Sequence, residues 1–336
     1  MIKSISLNSF GPITEMSANK LGQINLIIGD NGTGKTFLLK AIYSTIKTIE
    51  NYKRGKENRS DKEILADKLY WTFQSHTLGD LVKKGESSLK FSMESDKRET
   101  FSFSFGNSTN KQILNLENFF ASRESNSIFI PAKEVLSLIE IILESRDNYN
   151  AFGFDNTYYD LAKALRPTGK GRNYKEFAEA RKSLENSLGG KIDFDLEKKE
   201  WFFTDNISKR KFGISITSEG VKKISILDTL LGNHYLSSNS TIFIDEAEAN
   251  LHPEMISKFM DIIFLLSRSG LQFFITTHSY FVIKKLFVLA QKHKASIPVI
   301  SFEDNQCYQY DLKDDMPENP IIEESVKLYK EEIETL

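Results

Sequence analysis

The stretch Gly29 to Thr36, GDNGTGKT, constrains this chain more than any other. It satisfies the pattern G-x-x-x-x-G-K-[ST] in full, and its setting gives the pattern mechanical meaning. An apolar strand, Gln23 to Ile28, precedes it. A helix predicted over Thr36 to Ile49 follows, with Leu38, Leu39, Ile42 and Ile46 at helical spacing. Glycines let backbone N–H groups turn inward around phosphate oxygens, and the helix N-terminus adds partial positive charge. The pattern therefore predicts a nucleoside triphosphate, read as ATP, held by Gly29, Asp30, Asn31, Gly32, Thr33, Gly34, Lys35, Thr36 and Phe37. Lys35 should reach the β- and γ-phosphates and stabilise charge in catalysis, and the Thr36 hydroxyl should face Mg²⁺.

Carboxylates suited to that chemistry follow in Ser240 to Pro253, STIFIDEAEANLHP. An apolar strand ends in Asp245-Glu246. Asp245 stands where a strand tip can hold Mg²⁺, and Glu246, projecting differently one residue on, can polarise an attacking water. Glu248 can serve the site or the surface equally. Thr217 to Lys223, TSEGVKK, opens an apolar helix that Ser218 can cap, and Gly220 permits close backbone approach. After a second apolar strand, Gln272 to Thr276, comes TTHS with His278 at the strand tip. Taken singly, the Ser218 turn reads equally as a bare helix cap and His278 as a structural histidine.

Between these segments the chain reads as alternating layers. The N-terminal MIKSISLNSF has Ile2, Ile5 and Leu7 near a period of two, which predicts a first strand rather than a secretory signal. Residues 51–62 are polar and predict an exposed loop. Leu89, Phe91 and Met93 face Phe101, Phe103 and Phe105 across a turn, an antiparallel hairpin. Ser127 to Pro131 is a short buried strand, and residues 133–188 are mainly helical in pattern, with a glycine-rich basic loop at Pro167 to Asn173. A hairpin follows over Lys191 to Ile216. The last elements are a strand, PVISFE, and a helix over Pro320 to Glu334.

Composition narrows the partners. The 336 residues suit roughly two average domains or one large α/β domain with insertions, and 40% hydrophobic with 27% charged residues permits a buried core. A net charge of -2 gives no global attraction to nucleic acid or anionic membrane. Local contact could come from Lys170, Arg172, Lys175, Arg181 and Lys182 or from Lys209, Arg210 and Lys211, although a solvated face accounts for them as well. The lone Cys307 excludes a disulfide framework and fits a reducing cytoplasm. No stretch reaches the roughly 20 apolar residues of a membrane span.

The order of these pieces resembles the ABC-type ATPases of the SMC, RecF and OLD (overcoming lysogenization defect) group. It is most similar to their small bacterial AAA-labelled relatives, many of them in phage-defence systems. The resemblance covers most of the chain and is strongest at residues 1–50 and 214–284. It implies an α/β fold: an ABC-type P-loop core with a mixed sheet, an antiparallel β layer and an inserted helical lid. The expected division is residues 1–130 and 191–336 for the core and 131–190 for the lid. It further implies that Ser218 and Gly220 match the signature that contacts nucleotide on an opposing subunit. Asn250 to Pro253 then match the loop crossing that interface, and His278 the switch histidine. The implied function is ATP hydrolysis by a cytoplasmic homodimer that closes around two ATP molecules and controls a separate effector, in phage defence or a DNA transaction.

Two departures from the family pattern bear on the alternatives. Glu219 stands where transporters commonly have glycine, and Pro131 to Glu134 occupies the place of a lid-junction glutamine. Both weaken the competing reading, a transporter's nucleotide-binding subunit. A small-molecule kinase would need neither the Ser218 signature nor His278. The stretch after His278 is short for an independent nuclease domain, and Asp314-Asp315 read as loop charge.

Overall fold

The computed structural model describes residues 1–335 except 167–176, 196, 198–199 and 304–305. Strands β1 (Ile2–Phe10) and β2 (Ile13–Ala18) form a tight hairpin, and β3 (Ile24–Gly29) leads into helix α1 (Lys35–Asn51). Helix α2 (Asp61–Phe73) follows, then β4 (Ser88–Ser95), β5 (Thr100–Gly106), β6 (Asn115–Asn118) and β7 (Ile128–Ile130). Helices α3 (Ile139–Asp147), α4 (Asn156–Leu165) and α5 (Ala178–Leu188) precede β8 (Gly190–Asp195), β9 (Glu200–Asp205) and β10 (Lys211–Gly213). The final run is α6 (Glu219–Gly232), β11 (Thr241–Ile244), α7 (Pro253–Arg268), β12 (Gln272–Thr276), α8 (Tyr280–His293), β13 (Pro298–Glu303), β14 (Gln306–Asp311) and α9 (Pro320–Thr335).

The central sheet has the order β14-β13-β3-β12-β11-β7. It is parallel except for the β13–β14 pair. Its strands other than the edge strand β14 are largely apolar on both faces, as a sheet covered on both sides requires. Alternate residues divide between two cores. Leu26, Ile28, Ile242, Ile244, Phe273 and Ile275 meet the helices α3 to α8. Ile27, Phe129, Phe243, Phe274 and Ile300 meet α1 and the antiparallel sheet. On that second face, the rings of Phe129, Phe243 and Phe274 stack across three neighbouring strands, 6.2 and 5.4 Å apart.

The antiparallel layer runs β2-β1-β4-β5-β6. The expected hairpin pairs Leu89 with Phe105, Phe91 with Phe103 and Met93 with Phe101. All six side chains are buried against α1. A smaller antiparallel sheet, β10-β9-β8, joins the helical face. The helices between residues 131 and 190 share one continuous core with the central sheet.

Several elements lie outside the sequence-based expectation. The polar run 51–62 ends in a helix start: Ser60 and Glu63 form a reciprocal capping box that launches α2. β2 and β14 each add a strand beside an expected one. β14 is an edge strand without a buried apolar run, so hydrophobic patterning does not mark it. The basic loop at Pro167 to Asn173, with Lys170 and Arg172, and nearby Lys175, lies outside the described residues. Arg181 is committed to Asp228 at 2.9 Å.

Candidate nucleotide site

β3 ends at Gly29, and the loop to α1 wraps the helix start. Gly34 occupies the N-cap of α1 with φ 103°, and a Cβ there would lie 2.8 Å from Ile13 Cγ1. No side chain caps this helix and no acidic residue sits in its first turn. Its first N–H groups and dipole therefore remain available to an anion. Lys35 folds back over the loop, donating to the carbonyls of Gly29 at 2.8 Å and Asp30 at 2.7 Å. Burial lowers its pKa, opposed by the charges of Asp245, Asp30, Glu246 and Glu248. The ring of Phe37 packs against Phe10 and Phe73, so its contribution to a phosphate is the backbone N–H.

The carboxylates meet this loop directly. β12 lies between β3 and β11 in the sheet, so the ends of all three strands open onto one place. Thr36 Oγ1 donates to the two carboxylate oxygens of Asp245 at 2.9 and 3.1 Å. Thr276 Oγ1 donates to Asp245 Oδ1 at 2.7 Å and accepts from the Glu246 backbone N–H at 2.8 Å. Glu246 is exposed and has a left-handed backbone, φ 47°. For a residue with a Cβ that conformation persists only where its surroundings enforce it.

Thr36 and Asp245 are hard oxygen donors side by side, the set that Mg²⁺ uses together with phosphates and water. Among the described residues no group of three His, Cys, Asp or Glu side chains could hold a metal unaided. A cation here would therefore share its coordination with a nucleotide.

His278 follows the β12 tip. Its backbone N–H donates to Glu248 Oε1 at 2.6 Å, and Thr277 Oγ1 donates to Glu248 Oε2 at 2.7 Å. Glu248 thus braces the histidine loop with both oxygens. Ser218 takes the N-cap position of α6, but its side chain makes no capping bond and is exposed. Gly220 packs against the loop after the carboxylates: a Cβ there would stand 3.0 Å from Asn250 O and 3.0 Å from Leu251 Cδ2. His252 caps α7 through Nδ1, with Pro253 in the first turn.

Sequence reasoning assigned no role to Thr276, the bracing function of Glu248, Lys223 or Tyr158. Lys223 Nζ donates to the Glu246 carbonyl at 2.5 Å. The Tyr158 hydroxyl, on α4, is pushed up to about 12 by burial and then by Asp155, Asp245 and Glu246. The only signal for Thr276 was a hydroxyl ending an apolar strand.

Comparison with known proteins gives a family and a fold. Residues 24–284 match the family model described as "AAA domain, putative AbiEii toxin, Type IV TA system". The chain belongs to this family. Among solved structures it is similar to the SMC head bound to the C-terminal winged-helix domain of ScpA. That match has 13% identity and a TM-score of 0.56, covering 93% of this chain and 99% of the other. It is also similar to an Smc head domain with an extended coiled coil bound to the C-terminal domain of ScpA, derived from Pyrococcus furiosus. Here identity is 13% and the TM-score 0.53, with 98% of each chain covered. The fold is therefore that of an SMC-like head with a nucleotide-binding P-loop. A search of curated protein sequences returns no match. Among the described residues no helix is long and apolar enough to cross a membrane.

Proposed function

We propose that this chain is a Mg²⁺-dependent ATPase that closes as a homodimer around two ATP molecules. The carrying observation is the Thr36 hydroxyl set against both oxygens of Asp245 at the mouth of a complete phosphate loop. Residues 29–37 bind the phosphates through backbone N–H groups, and Lys35 exchanges its loop carbonyls for phosphate oxygens. Thr36 and Asp245 would hold Mg²⁺, which would supply positive charge beside the phosphates. Glu246, exposed and adjacent, accepts a proton from the attacking water. Its neighbour Glu248 is engaged by Thr277 and His278, which leaves Glu246 as the base. His278 approaches the γ-phosphate as switch residue, and Ser218 and Gly220 contact nucleotide on the opposing chain.

The output in this reading is control of a separate effector, with residues 131–190 as the lid that reports closure. The toxin–antitoxin label of the family supports a role in phage defence. The recorded ScpA complexes of the similar head domains support a protein partner.

Glu246→Gln tests the core of the proposal. The variant should keep ATP binding, accumulate ATP-dependent dimers by light scattering, and turn over about 10²–10⁴-fold more slowly. Wild-type turnover would refute the role of Glu246.

A further inference from the structure

Two lysines follow one another in the first turns of α6, and they are used differently. Lys222 pairs with Glu219 of its own helix at 2.8 Å. Lys223 is 6% exposed, and its ammonium is given to the carbonyl of Glu246 at 2.5 Å. Burial pushes it down to about 8, against the opposing pull of Glu248, Asp245 and Glu246. Burying an ammonium is costly, and a methionine of similar length would fill the same space without that cost. Packing therefore does not account for a lysine here.

What the lysine adds is a hold on one peptide unit. The Glu246 N–H is fixed on Thr276 and its carbonyl on Lys223. Together the two bonds define the left-handed backbone from which the Glu246 side chain projects. The same helix start touches the following loop through Gly220 and Asn250. Lys223 lies about one helical turn beyond Gly220, so a shift of the Ser218–Gly220 end reaches Glu246 through a single side chain. If the proposed function holds, that end of α6 engages the partner's nucleotide while Glu246 serves the nucleotide of its own chain.

We propose that Lys223 is a positioning residue joining these two places, so that engaging the partner's ATP at Ser218 and Gly220 sets the backbone of the chain's own water-activating Glu246. The two nucleotide sites of a closed pair then fire together. A subunit whose signature end is unengaged holds its glutamate away from productive geometry.

The experiment compares wild type, Lys223→Met and Lys222→Met as purified full chains. It measures ATP affinity with a fluorescent ATP analogue, and steady-state hydrolysis against ATP concentration. Wild type should show cooperative turnover with a Hill coefficient above 1, bounded by about 2 for two sites. Lys223→Met should keep ATP affinity within about threefold. Its kcat should fall about 10- to 100-fold, the scale of a small misplacement of a reacting group, and its Hill coefficient should drop to about 1. Lys222→Met should behave as wild type. Introduced together with Glu246→Gln, Lys223→Met should still give ATP-dependent dimers, which separates lost coupling from lost association. If Lys223→Met does not fold, Lys223→Gln supplies the same readouts. Cooperative wild-type turnover that survives in the folded Lys223 variant overturns the coupling and leaves the ATPase reading standing. A wild-type chain that neither dimerises nor hydrolyses ATP overturns both.

Discussion

Replacing Thr276 by valine isolates the hydroxyl that sits between the two acidic residues of the site. Valine matches threonine in shape, and Thr276 is fully buried, so the substitution deletes hydrogen bonds with little change in packing volume. Two bonds go: a donation to the Asp245 carboxylate at 2.7 Å and an acceptance from the Glu246 N–H at 2.8 Å. A bond to an ionised group contributes about 1.5–3 kcal/mol and a neutral one about 0.5–1.5 kcal/mol, so the variant should lose about 2–4.5 kcal/mol of stability. Asp245 also loses one of the two hydroxyls that orient it. Removing such an outer partner of a metal ligand typically weakens the metal 10- to 100-fold. Urea denaturation of the nucleotide-free protein reads the first effect, and ATPase rate against Mg²⁺ concentration reads the second. Thr276→Ser restores the hydroxyl and should recover most of both. An unchanged denaturation midpoint together with an unchanged Mg²⁺ requirement would refute the bridge.

Three further outcomes follow from the same geometry. Lys35→Ala should lose most ATP binding and hydrolysis, checked by ATP titration, because its ammonium is the buried cation at the loop mouth. Ser218→Arg should bind ATP as a single subunit yet fail to dimerise by light scattering, since Ser218 is exposed at the helix start proposed to meet the partner's nucleotide. For Asp160, burial raises the pKa, but Lys68, Lys47 and hydrogen bonds from Tyr43 and Lys68 outweigh it and hold the carboxyl below the usual range. A depressed carboxylate stabilises fully above its unfolded value of about 3.9 and loses that contribution as pH falls through the lower folded value. Asp160→Asn should therefore cost about 3–5 kcal/mol at neutral pH, the scale of a broken buried pair. Urea titrations should show the gap from wild type closing below about pH 4.

What the sequence made legible was everything carried by local pattern. The phosphate loop, the strand ending in Asp245-Glu246 and the phenylalanine hairpin each announce themselves through spacing within a few residues. The apolar strands TIFI and QFFIT were equally plain, and in the structure their alternate residues divide between two cores. The capping box at Ser60 was equally local, but the polar run before it masked the start of α2. The bonds that join the site were of another kind. Thr276 meets Asp245 only because β11 and β12 pair in one register, Ile244 beside Ile275. Lys223 meets Glu246 only because α6 packs where it does. A hydroxyl or lysine with such a partner looks, in sequence, like any other polar residue near an element end.

The same distinction bears on the proposed lid, residues 131–190, in a chain with no glutamine at the expected lid junction. Thr36, Lys40, Tyr43 and Lys47 recur on α1 at intervals of four, three and four residues, which puts them on one face of the helix. The structure gives each a charged partner in turn. Thr36 binds Asp245 in the candidate site, and Lys40 pairs with Asp155 at the N-cap of α4 at 2.6 Å. Tyr43 donates to Asp160 within α4 at 2.8 Å, and Lys47 pairs with Glu50, which also accepts from Ser127 just before β7. A helix is stiff along its axis, and buried polar contacts tolerate little misalignment before they are lost. A displacement of α1 at the phosphate loop must therefore carry α4 with it or break Lys40–Asp155 and Tyr43–Asp160. The proposed lid is thus tied to the candidate site through the polar face of the phosphate-loop helix, and that tie requires no residue at Pro131 to Glu134.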